Sequence, residues 1–116
     1  MKALIAITLA AGLASPALAA EKFGKYAPLH PCPQVMRNYD KGNNTWRDEL
    51  SWLLGFIDGA SVASGININK FLEDGDPVAP ALTFCREAKS ATLWDAAHAV
   101  MQFAMEQRTK AKAEPQ

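Results

Sequence analysis

The sequence contains few of the residues from which catalytic or metal centres are built. It has two cysteines and two histidines in 116 residues. Neither cysteine has a second cysteine or a histidine at metal-ligand spacing. Ser51, Ser61 and Ser64 have none of the surroundings typical of a hydrolase nucleophile. These absences predict a protein without a metal, a cofactor or catalytic residues.

The chain also lacks an excess of charge of either sign. It has 12 basic and 12 acidic residues, and removal of Lys2 with a signal peptide would leave a net charge of −1. Nucleic-acid-binding domains normally show a basic excess on one face, so that function is excluded. The cluster Arg108, Lys110 and Lys112 is expected to be a solvated tail rather than a binding patch.

No apolar run reaches the ~20 residues that a membrane-spanning helix needs. The longest one, residues 3–13, follows Met1 and Lys2 and precedes a small-x-small cleavage signature at Ala17 to Ala19. This order is typical of a bacterial signal peptide. We therefore expect residues 1–20 to be cleaved after Ala19 or Ala20, and the mature chain to reach the periplasm without a stable membrane anchor.

In an oxidising compartment, the two cysteines predict one disulfide, Cys32–Cys85. A bridge that closes the loop between residues 32 and 85 contributes about 4 kcal/mol to the free energy of unfolding in the chain-entropy model. That is a large share of the ~5–15 kcal/mol that stabilises a typical domain. The alternative interpretation is that the cysteines are reactive thiols or half of a metal site.

The pattern of apolar residues predicts an all-α fold, a small orthogonal bundle of about four helices around one long central helix. Residues 21–31 form a flexible leader with an exposed His30, residues 32–108 the helical domain and residues 109–116 a disordered tail. The first helix covers residues 32–39, and the central helix begins with Thr45 as its N-cap. Asp76 caps the third helix, and Thr92 with Asp95 opens the last.

The central helix carries two kinds of residue at helical spacing. Large apolar side chains share one face: Trp46, Leu50, Leu53, Leu54, Ile57 and Ala60. Gly55, Gly59 and Ala63 recur every four residues. A glycine costs about 1 kcal/mol against alanine inside a helix, so two of them indicate a packing requirement. We expect another backbone of the fold to cross the helix closely there.

Five residues are candidates for binding a partner protein: Trp46, Trp52, Phe56, Asp58 and Trp94. Tryptophan is enriched in interface hot spots, although packing is the default for at least two of the three tryptophans. Asp58 interrupts an apolar helix, either as an acid at an interface or as a solvent-facing residue. His98 is expected to be a partly buried packing residue. The acidic turn at residues 73–76 favours a helix start over a calcium loop, because it lacks the EF-hand ligand spacing.

From Cys32 to about Met105 the chain resembles the HdeA-like group of small periplasmic helical proteins. The resemblance rests on a cysteine ahead of a long helix, on the WLLGFIDG stretch at residues 52–59, on Phe84-Cys85 and on a closing amphipathic helix that opens LWDAA at residues 93–97. It implies an acid-activated chaperone that is a folded homodimer near neutral pH. In acid, such a protein becomes a partly unfolded monomer that binds unfolded client proteins.

The charge of the mature chain permits this mechanism. Near pH 2 the carboxylates are largely neutral, so lysine, arginine, histidine and the N-terminus would give a charge of about +14. Self-repulsion of that size would loosen a small domain. The Gly55 to Gly59 segment also resembles periplasmic immunity proteins, which bind and block type VI secretion effectors. This second resemblance implies one tight partner, and a small hydrolase is a third interpretation.

Overall fold

The computed structural model describes residues 26–113; the predicted signal peptide, the start of the leader and residues 114–116 lie outside the described residues. The described part is all-α, which confirms the predicted fold class. Its helices are α1 (Cys32–Lys41), α2 (Asn44–Ser64), α3 (Val78–Glu87) and α4 (Leu93–Ala113). Short 3₁₀ turns occupy Ala27–Leu29, Ile68–Phe71 and Glu73–Gly75.

Local side-chain chemistry sets most helix ends. The Asn43 side chain accepts a hydrogen bond from the Trp46 backbone N–H at 2.9 Å, so Asn43 caps α2. The prediction of Thr45 as this cap was wrong, because Thr45 lies inside the first turn while Asn43 has the extended backbone of an N-cap. Gly65 ends α2 with a left-handed φ of 72°, a conformation that glycine adopts without a steric penalty.

The two later helices begin within one residue of the predicted positions. Asp76 accepts a hydrogen bond from the Val78 backbone N–H at 2.8 Å, but Pro77, and not Asp76, occupies the N-cap position of α3. At the start of α4, the Asp95 carboxylate accepts from the Thr92 N–H at 3.0 Å and the Thr92 hydroxyl oxygen accepts from the Asp95 N–H at 3.4 Å. This reciprocal pair is a capping box.

The end of the leader packs onto the helices, contrary to the expected flexible segment. Pro28 and His30 are buried, and His30 is only 4 % exposed. The His30 carbonyl accepts a hydrogen bond from the Leu93 N–H at 3.0 Å, and the Cys32 N–H donates to the Ala91 carbonyl at 2.9 Å. The prediction of an exposed His30 was therefore wrong, because this backbone pairing holds the leader against the start of α4.

The core lies where α4 meets the other helices. The buried stripe of α4 consists of Leu93, Ala96, Ala97, Val100 and Ala104. Four of these five side chains are small or β-branched, which lets neighbouring helices approach closely. They form one buried cluster with residues of α2 and α3, including Leu53, Ile57 and Ala81.

The disulfide Cys32–Cys85 joins the start of α1 to α3, with 4.8 Å between the two Cα atoms. Both cysteines belong to the buried cluster, so the predicted bridge is confirmed and ties two helices at the core. The last helix continues to Ala113, whereas residues 109–113 were expected in a disordered tail. Lys110 and Lys112 suit its last turn, because positive charge there offsets the helix dipole.

Candidate functional site

A buried polar network joins the leader to α1 and α2. The Glu49 side chain is fully buried, and one of its carboxylate oxygens lies 2.6 Å from the His30 Nδ1 atom. The other oxygen accepts a hydrogen bond from the Asn38 amide at 3.1 Å. The Asn38 side-chain oxygen in turn accepts from the Asn43 amide at 3.1 Å. Because Asn43 also caps α2, the network connects the buried carboxylate to the start of that helix.

Burial of Glu49 follows from its position in the helix. It lies four residues before Leu53 and eight before Ile57, so the three share the face that meets the core. A charge removed from water is tolerated only when it is paired and hydrogen-bonded, and both carboxylate oxygens have partners here. Sequence reasoning did not single out Glu49. Its four-residue spacing from Leu53 was the signal that could have located it.

A second cluster lies between α2 and α4 and is formed by Trp52, Phe56, Trp94 and His98. We call it the aromatic face. Its ring centroids are separated by 5.1 Å for Trp52–Phe56, 5.5 Å for Phe56–Trp94 and 4.5 Å for Trp94–His98. Trp94 remains 46 % exposed. The fold therefore brings together three of the five predicted partner-binding residues on an accessible surface.

The other two predicted partner-binding residues lie elsewhere. Trp46 is half-buried and packs edge-on against Tyr39, with the ring centroids 5.1 Å apart. Asp58 is exposed and accepts a hydrogen bond from the Asn69 amide at 3.4 Å. Neither residue contributes to the aromatic face.

His98 is a member of the aromatic face that sequence reasoning treated as a packing residue. It is exposed, and its Nδ1 atom lies 2.9 Å from the Trp94 carbonyl oxygen. A carbonyl can only accept, so this nitrogen carries the proton and donates. The position of His98 four residues after Trp94 in a helix was the signal that places the two rings together.

Gly55, Gly59 and Ala63 do not mark a close helix crossing. All three are exposed, and a Cβ atom added at either glycine would have no neighbour within 4 Å. The prediction that another backbone of this fold crosses them was wrong. The neighbouring helices pack on the opposite side of α2, where the large side chains Leu53 and Ile57 offer more apolar area to bury.

The part of the chain that the structure describes contains no group of three or more histidine, cysteine, aspartate or glutamate residues that could hold a metal ion. Within residues 26–113, no helix has the length and hydrophobicity of a membrane-spanning segment. The arrangement therefore offers two distinct features, a buried network of polar groups and an exposed cluster of rings.

The comparisons with known proteins leave the family of this chain open. No protein-family model matches the sequence, and searches of curated proteins and of solved structures gave no match. The resemblance to the HdeA-like group therefore stays a prediction from residues 32–105.

Proposed function

We propose that this chain is a non-enzymatic periplasmic domain that acts as an acid-activated chaperone for unfolded proteins. The buried His30–Glu49 contact carries the proposal, because it is the ion pair that holds the leader against α2. Near pH 2 the mature chain would carry a charge of about +14, and self-repulsion of that size loosens a small domain.

Loss of one partner of a buried ion pair costs about 3–5 kcal/mol. That is comparable with the whole stability of a small domain. If the loosened domain loses the His30–Glu49 contact, the leader would separate from α2 and expose the apolar side chains that it covers. The disulfide limits how far the loosened chain can open, since Cys32 and Cys85 keep α1 attached to α3.

Aggregation assays at pH 2–3 with several unrelated client proteins test this proposal. The full chain should suppress aggregation there and bind an apolar dye more strongly than at pH 7. A chain that stays native and inactive at pH 2 would contradict it. Glu49→Gln keeps the size of the side chain but removes the ion pair, so the leader should already be loosened at pH 7 and dye binding should change less between pH 7 and pH 2. Asp48→Asn, at an exposed neighbouring position, is the matched control and should respond like the wild type.

The aromatic face favours a second candidate, an immunity protein that blocks one secreted effector. Its rings are accessible in the folded state, so binding would not require acid. Tryptophan in such a surface is a typical hot spot. Under this proposal Trp94→Ala would abolish tight one-to-one binding to a toxin at pH 7 while the fold persists. A toxin gene beside this one would supply the protein to test.

The contacts of the histidines favour a binding role over an enzymatic one. His30 is buried and already paired with Glu49, so a substrate could not reach its ring. His98 is exposed, but its contacts are the rings of Trp94 and Phe56 rather than a serine hydroxyl. Loss of a hydrolytic activity on replacing His98, with the fold intact, would contradict this proposal.

A further inference from the structure

A groove lined by phenylalanine side chains and by carboxylates runs between α3 and α4 and along the turns before α3. Its volume is about 1010 Å³. Phe84 of α3 and Phe103 of α4 line it, and Phe103 is 43 % exposed; we call this aromatic part the floor and the charged residues of the lining the rim. Phe71 and Leu72 also line it, beside the 3₁₀ turns. The groove shares no residue with the aromatic face or with the buried network.

The charges that line the groove are mostly of one sign. Four carboxylates and one ammonium group line it, from Glu73, Asp74, Asp76, Glu87 and Lys70, so the excess is three negative charges. The whole chain has no net charge, so this is a local concentration. Adjacent carboxylates repel one another, and a positively charged partner would relieve that repulsion.

Three of these carboxylates have no ionic partner within residues 26–113, where the one salt bridge is His30–Glu49. Glu73, Asp74 and Glu87 are exposed, whereas one oxygen of Asp76 accepts a hydrogen bond from the Val78 N–H. The Lys70 ammonium lies 5.9 Å from the centre of the Phe71 ring. The rim therefore presents free negative charge beside exposed phenylalanine.

We infer that this groove binds, near neutral pH, a short basic amphipathic segment of a partner protein, with apolar side chains on the phenylalanine floor and lysine or arginine at the rim. Charge complementarity selects this occupant. An acidic segment would be repelled, and an uncharged one would leave the carboxylates unpaired. This inference goes beyond the acid-dependent activity proposed above and does not depend on it.

The dimensions suit a helical occupant. The α4 residues that line the groove, Ala99, Phe103 and Gln107, follow one another at four-residue spacing. They span about 12 Å along the helix axis, which equals roughly two turns of a second helix. Apolar side chains at every third or fourth position of that helix would meet the floor together, with its basic side chains toward the rim.

Fluorescence anisotropy at pH 7 with the full chain tests the inference. The probe is a labelled helical peptide of about twelve residues, with leucine on one face and lysine on the other. We expect saturable binding that strengthens at low salt, because exposed charges are then less screened. A peptide with glutamate at the lysine positions should bind at least tenfold more weakly, and so should one with serine at the leucine positions. Equal binding of the glutamate peptide would overturn the inference.

Two sets of variants locate the site. The triple variant Glu73→Gln, Asp74→Asn and Glu87→Gln should weaken binding at least tenfold. Its matched control, Asp40→Asn, Asp48→Asn and Glu106→Gln, removes the same charge from exposed positions outside the groove and should bind like the wild type. Equal weakening in both sets would mean nonspecific attraction and would overturn the inference.

A third comparison tests the floor. Phe103→Ala should also weaken binding of the lysine–leucine peptide several-fold, whereas Val62→Ala, at a side chain that is 85 % exposed on α2, should not. Circular dichroism confirms that each variant is folded. Sedimentation of the wild type and of the groove triple variant identifies a competing occupant. A dimer that only the wild type forms would make a second copy the occupant and overturn the assignment to a partner protein.

Discussion

Two faces of α2 each carry residues at four-residue spacing, but one face is buried and the other is exposed. Glu49, Leu53 and Ile57 recur every four residues and are buried, with exposures of 0–1 %. Gly55 and Gly59 also lie four residues apart and face open space. The Glu49 carboxylate is therefore buried, whereas the two glycines that were expected in a helix contact are exposed.

This contrast shows what decides burial in a small helical domain. Leucine and isoleucine gain about 25 cal/mol for each Å² of apolar surface removed from water, whereas glycine has no side chain to bury. Glu49 is buried because its apolar neighbours on that face pack into the core. The buried carboxylate is tolerated because His30 and Asn38 bind its oxygens.

Loss of the disulfide should have the largest effect. Cys85→Ser opens a loop of 53 residues and should lower the free energy of unfolding by about 4 kcal/mol. Loss of the bridge would also loosen the packing against the buried face of α2. Urea unfolding followed by circular dichroism measures this loss. Thr83→Ser, at an exposed position of the same helix, should change the free energy by less than about 0.5 kcal/mol. A loss below about 1 kcal/mol for Cys85→Ser would contradict the bridge.

Removal of the buried carboxylate should have the next largest effect. Glu49→Ala leaves His30 and Asn38 without their partner and should lower the free energy of unfolding at pH 7 by about 3 kcal/mol. Asp48→Ala is the control on the adjacent exposed position and should cost about 0.5 kcal/mol or less. Thermal unfolding of both variants would reveal the difference. Equal losses of unfolding free energy in the two variants would show that the buried and the exposed position contribute equally to stability.

The identity of the helix cap should have a smaller effect. Asn43→Ala removes the acceptor for the Trp46 N–H and the bond to Asn38, and should cost about 1 kcal/mol. Thr45→Ala, at the position that the sequence pattern favoured, should cost less than about 0.5 kcal/mol. Chemical unfolding compares the two. A larger loss at Thr45 would restore Thr45 as the cap.

Filling the open face should stabilise the protein slightly. Gly59→Ala adds a Cβ atom that meets nothing within 4 Å and removes the helix penalty of glycine, so we expect a gain of about 0.5–1 kcal/mol. Gly65→Ala, at a φ of 72°, should instead destabilise the chain by about 1 kcal/mol. Melting temperatures of both variants test the contrast. A loss at Gly59 would mean that something does pack on this face, such as a second copy.

Features that depend on neighbours in the sequence were predictable. The capping box of Thr92 with Asp95 and the hydrogen bond from the Val78 N–H to Asp76 each involve residues two or three positions apart, so their signals are local. The helical periodicity of apolar residues indicated the all-α fold class. The aromatic face was half predictable: Trp52 and Phe56 share one helix by spacing, but their contact with Trp94 depends on how α2 meets α4.

By itself, the sequence determined that the described chain forms helices, where α1, α3 and α4 begin to within a residue or two, and that its two cysteines pair. Only the tertiary structure decided which face of α2 is buried and that His30 lies against Glu49, nineteen residues further along the chain. The physical reason is that helix formation and capping use bonds within a few residues. Burial of a charged group depends instead on partners from segments that are distant in the sequence. No local pattern encodes which of these segments come into contact.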